Sequence, residues 1–266
     1  MSLNGIFFGA LIGLLITQRL WGAVVGAIVG HLFYQSLSIG NGSSAEHTQQ
    51  SASISEVFFR TTFELMGHVA KSDGRVTEAE IDAARRLMQD LNLGPREIGL
   101  AIECFRTGKG VAYDAEIGVE RLREACGQRH DLLRAFMELQ LRAALAGNGM
   151  SPPARVILTR VAERLGMSAL EFAYMEASLR TRQRTHDGPG ARPAAGSLAE
   201  FYAELEVDKN TSDQEVTKAY RRQMSRHHPD KLVANGLPES MAQVAKEKTQ
   251  RIQEAYEGIR AARGMR

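Results

Sequence analysis

Cysteine is nearly absent: the 266-residue chain has two, Cys104 and Cys126. Two thiols so far apart rule out a disulfide framework and fit a reducing compartment. Aromatic residues make up only 6% of the chain. β-Branched runs are few while Ala, Leu, Glu and Arg abound, so the whole chain reads as all-α. Neither sign of charge is in excess. With 33 Lys and Arg against 31 Asp and Glu, a net charge of +2 gives no ground for nucleic acid as a partner. Catalytic signatures are missing too. The seven histidines form no H-E-x-x-H and no Cys/His zinc spacing, and there is no Gly-rich phosphate loop and no G-x-S-x-G. The chain therefore reads as a non-enzyme that needs no cofactor and no metal.

Charge is also missing from the beginning. Up to residue 55 there are two charged side chains, Arg19 and Glu46. The stretch 5–34, GIFFGALIGLLITQRLWGAVVGAIVGHLFY, would reach about 45 Å as a helix. One tilted span of a roughly 30 Å hydrocarbon core fits within it, and residues 1–35 are expected to be a transmembrane anchor. A cleaved signal peptide does not fit, because no Lys or Arg precedes the apolar run and no A-x-A site follows it. Gly5, Gly9 and Gly13, then Gly22, Gly26 and Gly30, form two sets at four-residue steps that would adjoin and cover about half the helix surface. Small residues so spaced let two helices approach closely, which points to a homodimer through the membrane helix. Arg19 falls within that half, where a costly intramembrane charge faces protein rather than lipid. Flanking charge gives no orientation.

Residues 36–53 read as a flexible linker, being small, polar and rich in Gly and Ser. Residues 54–180 carry helical periodicity and form the expected central domain. Thr77-x-x-Glu80 has the spacing of a capping box opening a helix to about Leu91, with Ile81, Ala84, Leu87, Met88 and Leu91 as its apolar stripe. The pattern returns 74 positions later. Val76, Thr77, Leu87, Leu91, Leu93, Glu97 and Ile98 correspond to Met150, Ser151, Val161, Leu165, Met167, Glu171 and Phe172. Asp73, Gly74 and Glu80 could occupy three places of a calcium loop, but the places that need further oxygens hold Val69 and Lys71. A tight turn and helix cap is the simpler reading. Through SDGRVTEAEI and its echo this region resembles the TerB-like helical domain, which implies an interaction module with a client of unknown identity.

After a second linker, 181–197, residues 198–266 carry the strongest signal. They parse into helices at about 198–205, 213–227 and 239–262. Thr211 or Ser212 can cap the second, with Glu215 three residues past Ser212. Val216, Ala219, Tyr220 and Met224 lie at helical spacing, as do Ile252, Ala255, Tyr256 and Ile259, so the two longer helices should pair as an antiparallel hairpin capped by Phe201, Tyr202 and Leu205. Between them stands His228-Pro229-Asp230. Pro229 disfavours helix at His228 and would leave the imidazole and carboxylate on an exposed loop.

The triplet, AYRR seven residues before it and IQEAY after it resemble the J-domain of DnaJ-type co-chaperones. HHPDKLVANGLPESM, the N-terminal anchor and the TerB-like centre together resemble the membrane-anchored branch of that family. The resemblance implies that His228, Pro229 and Asp230 engage a DnaK-type chaperone and stimulate its ATPase. It implies that Lys218, Arg221, Arg222, Arg226 and His227 present positive charge to an acidic partner surface. It places the C-terminal domains in the cytoplasm at a bacterial inner membrane, with the N-terminus periplasmic, and links the chain by analogy to envelope and capsule signalling. Two residues depart from the family: Gln223 where Leu is usual, and Glu206 where Gly often precedes Val207. The alternative reading is a membrane-tethered adaptor whose degenerate J-domain has no chaperone coupling.

Overall fold

Helix α5 (His130–Leu145) is buried on nearly every side, so the domain is built around it. Ten of its sixteen residues are buried, the polar Glu138 and Gln140 among them, so neighbours must cover it on most sides. Here α1 (49–70), α2 (Glu78–Asp90), α3 (Pro95–Gly108), α4 (Ala115–Cys126), α6 (Pro152–Arg164) and α7 (Ala169–His186) complete the central domain. Of these, α2, α4, α6 and α7 lie directly against α5. Phe58 of α1 meets Phe136 of α5 edge-on at 5.9 Å, and Gln140 donates to the Thr62 carbonyl at 3.0 Å. Helices α1 and α3 touch backbone to backbone at two glycines. A Cβ on Gly108 would lie 1.7 Å from the Glu64 carbonyl oxygen, and one on Gly67 would lie 2.1 Å from that of Phe105. Cys104 and Cys126 are both buried and unbridged. Burial pushes the Cys126 thiol up to about 12, so it behaves as a small apolar group.

This computed structural model describes residues 49–74, 78–146, 149–186 and 197–265. Among them the fold is all helical. The expected membrane anchor, with Gly5, Gly9, Gly13, Gly22, Gly26, Gly30 and Arg19, lies outside the described residues, as does Thr77 of the capping box. Among the described residues no helix is long and apolar enough to cross a membrane.

The internal echo is present in three dimensions. The α2–α3 and α6–α7 junctions turn on residues with the same number offset: Asn92 at φ 54° and Gly166 at φ 78°. In each, the next amide reaches back over the turn, Leu93 N to Met88 O at 3.1 Å and Met167 N to Ala162 O at 2.9 Å. The apolar pairs flanking each turn, Leu91 with Leu93 and Leu165 with Met167, are buried alike.

The C-terminal module comprises α8 (Leu198–Glu204), α9 (Asp213–Arg226), α10 (Pro229–Ala234), a 3-10 turn (Glu239–Met241) and α11 (Ala242–Arg263). Its first helix opens on a reciprocal cap between Ser197 and Glu200, and Ser212 rather than Thr211 caps α9. Tyr202, Leu205, Val216, Ile252, Ala255 and Ile259 form its private core, as the stripes require. Tyr220 and Tyr256 stack at 4.2 Å. The antiparallel sense is pinned at the far end. Arg263, at the end of α11, donates to the Thr211 carbonyl at 2.6 Å and to Asp213 at 2.9 Å, at the start of α9.

The element boundaries expected from sequence shift in three places. Helix runs from 49, inside the expected linker 36–53, because Ile54, Phe58 and Phe59 need a helical face to reach the core. Helix α7 continues to His186, into the expected linker 181–197. The stretch after His228 is not a loop but the short helix α10. Leu232, Leu237, Met241, Val244 and Ala245 belong to the core of the central domain, not to the module's own. Residues Ser51–Arg266 thus pack as one unit.

Candidate partner-docking site

The site is built where α9 ends. Helix periodicity sends Val216, Ala219 and Gln223 inward. Lys218, Arg221 and Arg222 therefore point outward and are exposed, and Lys218 has one weak pairing, 3.6 Å from Glu215. Pro229 ends one helix and begins the next. Its missing N–H costs nothing at the first position of α10, and its fixed φ is already helical. His228 is the cap of that helix: its Nδ1 accepts a hydrogen bond from the Asp230 amide at 3.3 Å. With Nδ1 taken up as an acceptor, Nε2 is the ring nitrogen left to donate to a partner, and the ring is about half exposed. The Asp230 carboxylate stands free at 92% exposure, and its Oδ2 lies 3.9 Å from the imidazole Nδ1. The result is one donor and one fixed negative charge, held at the N-terminus of a helix whose next turn is anchored by buried Leu232.

Two of the five expected cations do not face outward. Arg226 is spent inside the molecule, paired with Asp131 of α5 and 4.0 Å from Glu206. His227 is buried at 7% exposure. Burial, reinforced by nearby Lys248, lowers its pKa from 6.5 to about 4 even though Asp131 opposes the change, with Arg226 and Arg134 acting in the same sense as Lys248. At neutral pH it is uncharged and contributes nothing to a cationic face. The run of positive residues does not form one surface: Arg226 and His227 lie on the side of α9 that meets the central domain.

A dated pH dependence follows from His227. Its folded pKa is depressed, so the unfolded chain binds the extra proton more readily between pH 6.5 and 4. The stability tied to neutral His227 is complete above pH 6.5 and is lost as pH falls through that window, amounting to about 3 kcal/mol. Urea titrations at pH 7 and pH 4.5 should show that loss in the intact chain, and His227→Gln should flatten it.

The two departures from the family pattern also meet here. Glu206 takes φ 57°, the left-handed turn that Gly would supply without strain. It uses the position to reach Arg134 of α5 at 3.2 Å. Burial works against its ionisation, but the buried Gln223 amide and the guanidinium groups of Arg134 and Arg226 hold it below the usual carboxylate range. Gln223 is buried near that carboxylate, but its Nε2 makes no hydrogen bond of normal geometry. Sequence reasoning missed the wider ionic joint of which this is a part. Glu138 of α5 receives Arg142 at 2.8 Å and Arg251 of α11 at 2.9 Å, and Arg142 also reaches Glu247 of α11 at 2.6 Å. Burial would raise the Glu138 pKa, yet Arg251, Arg142 and Lys248 drive it far below the carboxylate range.

Elsewhere, Asp73 is exposed and Gly74 turns at φ 98°, while Lys71 donates to the Lys109 carbonyl at 2.9 Å. Among the described residues, no group of three His, Cys, Asp or Glu side chains could hold a metal ion.

A helical module with an exposed His-Pro-Asp corner beside a basic helix, packed on a domain of tandem helix–turn–helix units, is the arrangement of a J-domain co-chaperone. Comparison with known proteins agrees. The DnaJ domain model matches residues 200–262, and the model described as tellurite resistance protein TerB matches residues 60–177. The chain is 37% identical over 275 aligned positions to co-chaperone protein DjlA of Escherichia coli K12, covering the whole of both. It is 36% identical over 270 positions to that of Coxiella burnetii, again end to end. It is 37% identical over 282 positions to that of Salmonella typhimurium, with the same full coverage. The chain belongs to the DjlA family of co-chaperones. No solved structure matches it.

Proposed function

We propose that this chain is a membrane-anchored regulatory co-chaperone. Its J-domain binds a DnaK-type chaperone and stimulates that partner's ATPase. The observation that carries the reading is the geometry at residues 228–230: an imidazole donor and a free carboxylate held in fixed relation by Pro229, next to three unmasked cations on α9. Lys218, Arg221 and Arg222 steer encounter with an acidic surface, an effect that weakens as salt rises. Asp230 meets a basic site, and His228 Nε2–H finds an acceptor. Because α10 is anchored in the central core, the corner is presented as a rigid key, which spares the ordering cost of a mobile loop.

The 1–35 stretch anchors the chain, pairs it as a homodimer through its glycine face, and leaves residues after about 35 in the cytoplasm with the partner. Between the anchor at 1–35 and the J module that begins at about 198, the central domain extends from the start of α1 at 49 to the end of α7 at His186, receives a client and links the module to envelope or capsule signalling.

The direct test is single-turnover hydrolysis by a DnaK-type chaperone, titrated with the full-length chain. A rise that saturates, and that shifts to higher concentration as salt is added, is expected. A flat response at every dose disproves the reading. Protease protection of the C-terminal module in intact spheroplasts would disprove the topology.

A further inference from the structure

The stretch that follows the docking triplet, from Lys231 to Met241, has no part in the module's own core. That core is built from α8, α9 and α11, and among the described residues none of its members falls between 226 and 245. Leu232, Leu237 and Met241 are instead buried in the core of the central domain, together with Val244 and Ala245 at the start of α11. The direction of α10, and so of the corner that opens it, is therefore set from outside the module.

It is set at one turn of chain. Helix α10 closes on a left-handed cap: Gly236 takes φ 111°, its amide donates to the Val233 carbonyl at 2.9 Å, and the Leu237 amide donates to the Leu232 carbonyl at 2.9 Å. At the other end the Leu232 amide donates to the His228 carbonyl at 3.0 Å. Cap, helix and turn thus form one hydrogen-bonded rod about 12 Å long from His228 to Gly236, and a displacement of the turn is a displacement of the corner. The turn lies on α1. A Cβ on Gly236 would stand 2.6 Å from Ile54 Cγ2 and 2.7 Å from Ile54 Cβ, with the Ser51 carbonyl oxygen at 3.4 Å. Ile54 is 3% exposed, and a β-branched side chain in a helix has little rotational freedom with which to give way. Glycine is required at 236 twice over, by φ and by contact. Upstream of the triplet the restraint also comes from the central domain, through Asp131 on Arg226.

We infer that Ile54 is a positioning residue for the docking corner: its branched side chain seats the Gly236 turn, and that seat fixes the direction in which His228 and Asp230 meet the DnaK-type partner. The inference rests on the co-chaperone reading and adds to it the place where the corner is aimed, in the opening turns of α1. Lys218, Arg221 and Arg222 stand on α9, which the private core holds, so the steering of encounter is independent of the seat. Loss of the seat lowers what each complex achieves, not how readily it forms.

The test is single-turnover hydrolysis by a DnaK-type chaperone, titrated with the full-length chain in lipid nanodiscs as wild type, Ile54→Ala, Ile54→Val and Gly236→Ala. Ile54→Ala removes the branch that meets the turn, and Ile54→Val keeps it. Gly236→Ala leaves every core side chain in place and lifts the turn off α1. The saturating rate should fall at least about fivefold in Ile54→Ala and Gly236→Ala and stay within about twofold of wild type in Ile54→Val, while the half-saturating concentration and its salt dependence hold within about twofold. A loss of folded material would act the other way, raising the concentration needed and leaving the plateau in place. Leu158→Ala, a core truncation on α6, is the control: it should lower the melting temperature and not the plateau. Hydrogen exchange on the same chains reads the seat without the partner. Amides from Leu232 to Leu237 should exchange at least about tenfold faster in Ile54→Ala and Gly236→Ala, with those from Val216 to Gln223 unchanged. A plateau unmoved by both variants, an equal plateau loss in Leu158→Ala, or faster exchange spread equally over α9 would overturn the inference. A wild type that stimulates at no dose would overturn the function proposed above, a result told apart from these by the wild-type curve alone.

Discussion

His228→Gln should abolish ATPase stimulation while leaving the fold intact. The imidazole is half exposed, and its one internal bond is the cap to the Asp230 amide. Losing that cap costs about 1 kcal/mol, too little to unfold a domain whose next turn is anchored by Leu232. The docking side loses far more. Glutamine can donate a hydrogen bond, but its flexible amide does not hold the donor where the ring holds Nε2. A central anchor of this kind is worth about 2–4 kcal/mol, or roughly 30- to 700-fold in the stimulated rate at limiting concentration. Single-turnover hydrolysis, alongside circular dichroism of the variant, checks both halves. Stimulation retained within about threefold would remove the triplet from the mechanism.

The second large effect is expected at Glu138. Its carboxylate lies between Arg142 of its own helix and Arg251 of α11, and all three are mostly buried. Replacing it with Leu leaves two guanidinium groups with one acid fewer in a poorly solvated joint. Breaking a buried pair in this way costs about 3 kcal/mol or more. For a unit of this size that lowers the melting temperature by roughly 6–12 °C. The paired change Glu138→Leu with Arg251→Met removes acid and base together and should recover most of the loss. Thermal denaturation of the single and double variants measures the coupling. Simple additivity would show that the two groups do not act on one another. The same logic gives the acid behaviour. The folded pKa of Glu138 is depressed, so its contribution is in place above the ordinary carboxylate pKa of 4.5 and is lost only in strong acid. Loss of stability between pH 6.5 and 4 is therefore the signature of His227 and not of this carboxylate.

Helix identity and the private core of the J module were legible because they depend on local period. Val216, Ala219, Ile252 and Ile259 announce their faces without help from the rest of the chain. The repeat of 74 positions was legible for the same reason, and even the left-handed turns at Asn92 and Gly166 fall on the offset. Side chains whose surroundings come from distant segments were not legible. Arg226 reads as a surface cation until Asp131, 95 positions earlier, is brought beside it. His227 reads as part of a basic patch until the central domain covers it. One local cue did exist at the triplet. Proline followed by an acid is the normal opening of a helix as well as the end of one, and here it is both. Glu206 offered another: an acid in a place that prefers Gly must be held there by something, and Arg134 holds it.

The burial of Leu232, Leu237 and Met241 in the neighbouring domain has a consequence for how the molecule can be taken apart. Sequence families are cut at the edges of recognisable motifs, and here such a cut would pass through a shared interior. A fragment carrying only the last helices would keep its small internal core and lose the covering of its other flank, leaving a greasy face that water penalises. Evolution can still exchange this part among proteins, but only for a version that brings its own cover or finds the same host surface waiting.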